Sequence, residues 1–140
     1  MPEIIIQKIA YGGWNNCVRI TNGSIDLIIT VDVGPRIIRC GFVDQENEMC
    51  EIASTMGETG GDEWRLYGGH RLWHSPEDRR RTYVPDNSPV QWEAIPHGIR
   101  TVQEPEALTG IIKEMKITIT PDTGIVRISH RLTNTGPNPI

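Results

Sequence analysis

A chain of 140 residues, 37% hydrophobic and 23% charged, has the length and composition of one globular domain with a core of its own. Its formal net charge of −4, with Arg79-Arg80-Arg81 as the one basic run, argues against a nucleic-acid partner, which would need a clustered basic face. No apolar run approaches the roughly 18 residues of a membrane helix, no segment reads as a secretory leader, and Cys17, Cys40 and Cys50 lack CxxC spacing, which fits reduced thiols in a cytoplasm.

In chain order the pattern is that of strands. Glu3 to Ile9 is an apolar strand ended by Gly12-Gly13, and a short strand follows at Val18 to Thr21. Asn22-Gly23 signals a hairpin, because type I′ turns need positive φ at both central positions. Ser24 to Val33 alternates, with Ile25, Leu27, Ile29, Val31 and Val33 on one side and Asp26, Thr30 and Asp32 on the other. Gly34-Pro35 breaks the run, Arg36 to Val43 resumes it, and Glu48 to Ile52 reads as a further strand after a turn. Regularity returns at Ile111 to Thr120, turns at Pro121-Asp122-Thr123-Gly124, and pairs back over Ile125 to Thr133. The expectation is an all-β, antiparallel β-sandwich, residues 1–140 forming one domain.

Between Ala53 and Gly110 the periodicity fades, apart from short strands at Val90 to Ala94 and Gly98 to Gln103. Structureless stretches of that length in compact domains tend to be functional. At its centre stands Tyr67-Gly68-Gly69-His70-Arg71-Leu72-Trp73-His74-Ser75-Pro76-Glu77. The diglycine permits positive φ and a close approach. Ser75-Pro76-Glu77-Asp78 reads as a helix start with Ser75 as N-cap. Between hinge and cap the chain is expected to be extended, with His70, Leu72 and His74 on one face and Arg71 and Trp73 on the other.

Three motifs in this order resemble a known family: Val33-Gly34-Pro35-Arg36-Ile37-Ile38, the Tyr67 to Trp73 segment, and Ser129-His130-Arg131-Leu132-Thr133-Asn134. Together they are similar to the N-terminal half of galactose-mutarotase-like proteins, in an uncharacterised bacterial branch of the aldose 1-epimerase superfamily. The resemblance implies a large twisted β-sandwich (a supersandwich) of which this chain carries half, a sugar as the small-molecule partner, and an isomerase chemistry in which a histidine and a glutamate exchange protons with an aldose. The family's glutamate lies in a C-terminal half that has no counterpart here. Carbohydrate binding, rather than complete catalysis, is therefore the expectation.

Within that resemblance His70 is the candidate catalytic acid, Arg71 a hydrogen-bonding clamp and Trp73 a stacking platform. The competing reading buries Leu72 and Trp73 and lays Arg71 over them. Glu77 is either a substrate-contacting carboxylate or an acid whose position the helix dipole already explains. His97, at Pro96-His97-Gly98, either enters the pocket or is simply an exposed turn residue. Arg36 either reaches the pocket or pairs with Asp32 or Asp44. His130 shares the apolar side of Val126, Ile128 and Leu132 and is read as a hydrogen-bonded core residue.

No cofactor and no metal site are expected. In an extended segment His70 and His74 would stand about 13 Å apart at roughly 3.3 Å per residue, too far to share an ion. The best remaining metal ligands would be His70, His74, His97 and Glu77. Gly57 to Asp62 lacks the Gly-Lys-Ser/Thr ending of a phosphate loop. Half a sandwich would leave strand edges open, and open edges invite pairing, so a homo-oligomer is expected. The rival readings are a non-enzymatic β-sandwich interaction module and a small metal-dependent β-sandwich enzyme.

Overall fold

A computed structural model describes residues 2–140. Its strands are β1 (Ile5–Tyr11), β2 (Trp14–Thr21), β3 (Ile25–Thr30), β4 (Arg36–Phe42), β5 (His70–Arg71), β6 (Gln91–Ile95), β7 (Gly98–Val102), β8 (Ile111–Ile119) and β9 (Val126–Asn134). They form two antiparallel meanders, β1-β2-β3-β4-β5 and β6-β7-β8-β9, and no helix occurs among the described residues. The all-β, sandwich-like expectation holds.

Alternation explains why the sheets face one another. Val18, Ile20, Leu27, Ile29 and Ile37 from the first sheet meet Ile99, Met115, Ile117 and Ile119 from the second in one buried cluster. At about 25 cal/mol per Å² of apolar surface removed from water, this cluster is the main source of cohesion between the sheets. The first sheet is covered on its other side as well. There Trp14, Cys17, Ile28, Val33, Ile38 and Tyr67 form a second cluster, and the Trp14 indole donates to the Glu58 carbonyl at 3.0 Å.

Four local expectations are corrected. The Asn22-Gly23 turn is not type I′, since Gly23 has positive φ and Asn22 does not. Instead the Asn22 side chain accepts from Ser24 N and Ile25 N at 3.0 and 2.9 Å, closing an Asx turn. Glu48 to Ile52 forms no strand: Asn47 Oδ1 takes Cys40 N and Met49 N, and only an isolated bridge joins Glu51 to Gly68. No helix starts at Ser75. One turn closes from Asp78, whose carbonyl accepts from Arg81 N and Thr82 N at 3.0 and 2.9 Å, and the Thr82 hydroxyl folds back onto that same carbonyl, a competing bond of the kind that ends helices.

The fourth concerns His130, which is exposed rather than part of the core. Its strand, β9, has β8 as its single neighbour among the described residues. Along it burial fades from the half-buried Val126 and Ile128 to Leu132, 39% exposed. The apolar alternation is present, but nothing among the described residues covers its far end. No described helix is long and apolar enough to cross a membrane.

Candidate functional site

The diglycine does what its sequence suggests. Gly68 and Gly69 have φ of 93° and 69°; Gly69 N donates to Cys50 O at 2.8 Å, and β5 then pairs His70 with Ile37 and Arg71 with Arg36. Extended backbone sends neighbouring side chains to opposite faces. One face carries His70, Leu72 and His74, and the other carries Arg71 and Trp73.

On the second face a guanidinium lies between two indoles. Arg71 Cζ stands 4.5 Å from the Trp73 ring and 5.0 Å from the Trp64 ring, contacts of about 0.5–2 kcal/mol each. Tyr83 meets both rings edge-on, at 5.0 Å from Trp64 and 5.9 Å from Trp73, and its hydroxyl donates to Glu77. That bond holds the Tyr83 hydroxyl above its ordinary pKa. Glu63, Trp64, Glu77, Asp78, Arg79 and Tyr83 line a broad open groove of about 1020 Å³. Trp73 is 42% exposed, so the reading that buries it is not the one the structure takes.

Behind the groove lies a buried ionic knot. Arg36, 1% exposed, pairs with neither Asp32 nor Asp44. Its Nη2 meets Asp86 Oδ2 at 2.8 Å, its Nη1 donates to the Gly68 carbonyl, and its Cζ stands 5.2 Å from the Tyr67 ring. Arg71 Nη1 stops 4.0 Å from the same Asp86 oxygen, too long for a hydrogen bond. Burial lowers the Arg71 pKa, against the pull of Asp86. Arg36 is thus buried in an ion pair with Asp86 and does not line the groove.

His70 lies elsewhere. Its Nε2 meets His130 Nε2 at 3.0 Å, and burial, then His130, lowers its pKa. The structure therefore gathers Arg71, Trp73 and Glu77 around Tyr83 but leaves His70 out of that group. His97 is exposed in the β6–β7 turn, with φ of 65°, and lines neither the groove nor the ionic knot. Trp64, Tyr83 and Asp86 were not singled out from sequence. Trp64 and Tyr83 flank the diglycine segment, a local aromatic enrichment that would have flagged them; Asp86 sits in a Pro-Asp-Asn-Ser-Pro run that reads as an ordinary turn.

His74 is buried against the second sheet. Glu106 bonds Lys113 at 2.9 Å and accepts from Thr109 Oγ1 at 2.7 Å, while His74 Nε2 stands 4.0 Å from it. Burial lowers the His74 pKa; Glu106 opposes this, and Lys113 and Arg81 add to it. The unfolded chain then binds a proton at higher pH than the folded one, so stability is complete above the unfolded histidine value and falls as pH drops. Urea midpoints are expected to decline between about pH 7 and pH 5, with a shallower slope in His74→Gln; an unchanged slope would remove His74 from that account.

Neither Cys17 nor Cys40 is set up as a nucleophile. Burial first, then Asp32, pushes the Cys17 thiol up to about 12, burial raises Cys40, and all three cysteines are free. Among the described residues no group of three or more His, Cys, Asp or Glu side chains is placed to hold a metal ion. The chain matches no protein-family model, no curated protein and no solved structure.

Proposed function

We propose that this chain recognises a carbohydrate in the groove lined by Trp64, Tyr83 and Glu77, with the exposed Trp73 indole beside it, edge-on to Tyr83. The observation that carries the reading is the half-exposed Trp73 indole beside Tyr83, Trp64 and a carboxylate. A sugar ring presents C–H faces that pack on aromatic surfaces and hydroxyls that pair with carboxylate and guanidinium groups, and sites of this kind are concave with a few convergent polar groups. Arg71 stiffens the platform from behind, and Glu77 supplies the acceptor.

The order of the three motifs supports an ancestry with galactose-mutarotase-like aldose epimerases. Opening a hemiacetal needs an acid and a base at one sugar. His70 belongs to the other face of the segment, so the proposed role of this groove is recognition, not ring opening by these residues. The unpaired thiols support a reducing compartment such as the cytoplasm.

Titrating aldoses and sugar phosphates while following indole fluorescence tests the reading. A saturable response is expected, weakened about tenfold or more in Trp73→Ala; no response to any sugar in the folded wild type would retire it.

A second reading rests on β9, a nine-residue edge strand. Unpaired edges of that length are templates for another chain, and we propose self-association through it. Sedimentation is expected to show a dimer or larger species at micromolar concentration, and a monomer throughout would exclude it.

A further inference from the structure

His70 and His130 stand 60 residues apart in sequence, on strands that edge different sheets. Their Nε2 atoms are nevertheless 3.0 Å apart, with the ring planes tilted by 31°. Zinc-class ions bind imidazole nitrogen at about 2.0–2.1 Å, and two such bonds at an angle between square and tetrahedral set the nitrogens about 2.9–3.4 Å apart. The observed spacing lies inside that interval.

We propose that His70 and His130 form a two-histidine site for a late first-row divalent cation, which links the free edges of the two sheets. Imidazole suits zinc, copper and nickel. Without an ion, one ring must donate its Nε2–H to the other. An ion takes both Nε2 lone pairs, so the donating ring carries its proton on Nδ1 instead and no net proton leaves a neutral pair. No third carboxylate, thiolate or imidazole joins the pair among the described residues, so water completes the shell and the ion is exchangeable.

The site also has a mechanical consequence. β5 contains two residues and is held to β4 by two paired positions, whereas β9 pairs with β8 along its whole length. A metal bridge ties the weaker edge to the stronger one and stabilises the folded state by mass action. This inference does not depend on the sugar reading, because the histidine pair and the groove share no residue.

The test is calorimetric titration of zinc chloride into the full chain, free of affinity tag and chelator, together with thermal unfolding. Saturable binding of a single ion per chain is expected, with a rise in Tm of about 3–6 °C at saturation. His70→Asn and His130→Asn should each lose about tenfold or more in affinity, since a direct ligand matters no less than the outer partners that cost 10–100-fold. His97→Asn and Cys50→Ser should bind as the wild type does. Should a histidine variant fail to fold, the wild type still decides: zinc should shift the imidazole resonances of His70 and His130 together and leave those of His74 and His97 in place. No binding, undiminished binding in both folded histidine variants, or shifts centred on other residues would overturn the proposal.

Discussion

Replacing Asp86 with alanine is expected to cost about 3–5 kcal/mol of unfolding free energy, the usual penalty for removing one member of a buried pair. Asp86 is 5% exposed and its partner Arg36 1% exposed, so the guanidinium left behind has no route to water. The Gly68 carbonyl and the Tyr67 ring remain beside it, but neither carries a formal charge. Arg71 would lose the carboxylate that offsets its own burial. Urea unfolding should show a lower midpoint at unchanged slope. The paired change Arg36→Met with Asp86→Leu should recover most of the loss, because apolar residues of similar volume avoid the desolvation cost of both charges. If Asp86→Ala costs under 1 kcal/mol, the carboxylate is solvated.

Gly69→Ala is the second large effect, expected to cost about 2–5 kcal/mol. Part of that is the left-handed backbone, worth about 1–2 kcal/mol for a residue with a Cβ. The rest is overpacking, about 1–3 kcal/mol, because an added Cβ would stand 2.2 Å from the Ile37 carbonyl and 3.1 Å from Ile38 Cα. Both are backbone atoms of β4 and have no rotamer to change. Gly23 is the control: its φ is 90°, and an added Cβ there meets nothing within 4 Å. Gly23→Ala should therefore show the backbone term alone. Equal losses at the two positions would mean that the close approach of Gly69 to β4 is not what selects glycine.

Gly69→Ala should also displace β5, and with it the two functions we place on either face of the segment. Arg71 would leave the indole stack and His70 would leave His130. Sugar response and zinc response should then fall together, whereas Trp73→Ala should affect the first and leave the second.

The strands of this protein were legible because their alternation is strong: Leu27 and Ile29, or Met115, Ile117 and Ile119, define a buried face by period two alone. The diglycine was legible because few other residues tolerate its conformation. The faces of His70 to His74 followed from the geometry of extended chain. Local competition defeated finer readings. The side chains of Asn22, Asn47 and Thr82 each take backbone partners that a type I′ turn, a strand or a helix would otherwise have used.

What the sequence by itself determined is the all-β character, the antiparallel meander and the split of the central segment into two faces, since each depends on periodicity or on backbone sterics within a few residues. The tertiary structure alone decided which distant groups meet. Asp86 was 50 residues from Arg36 and His130 was 60 from His70, and no local rule connects such positions. Their encounter depends on how the two sheets stack and on where the irregular stretch between them is pinned. A charge finds its partner, and a ring its neighbour, only after the apolar faces have fixed those sheets against each other.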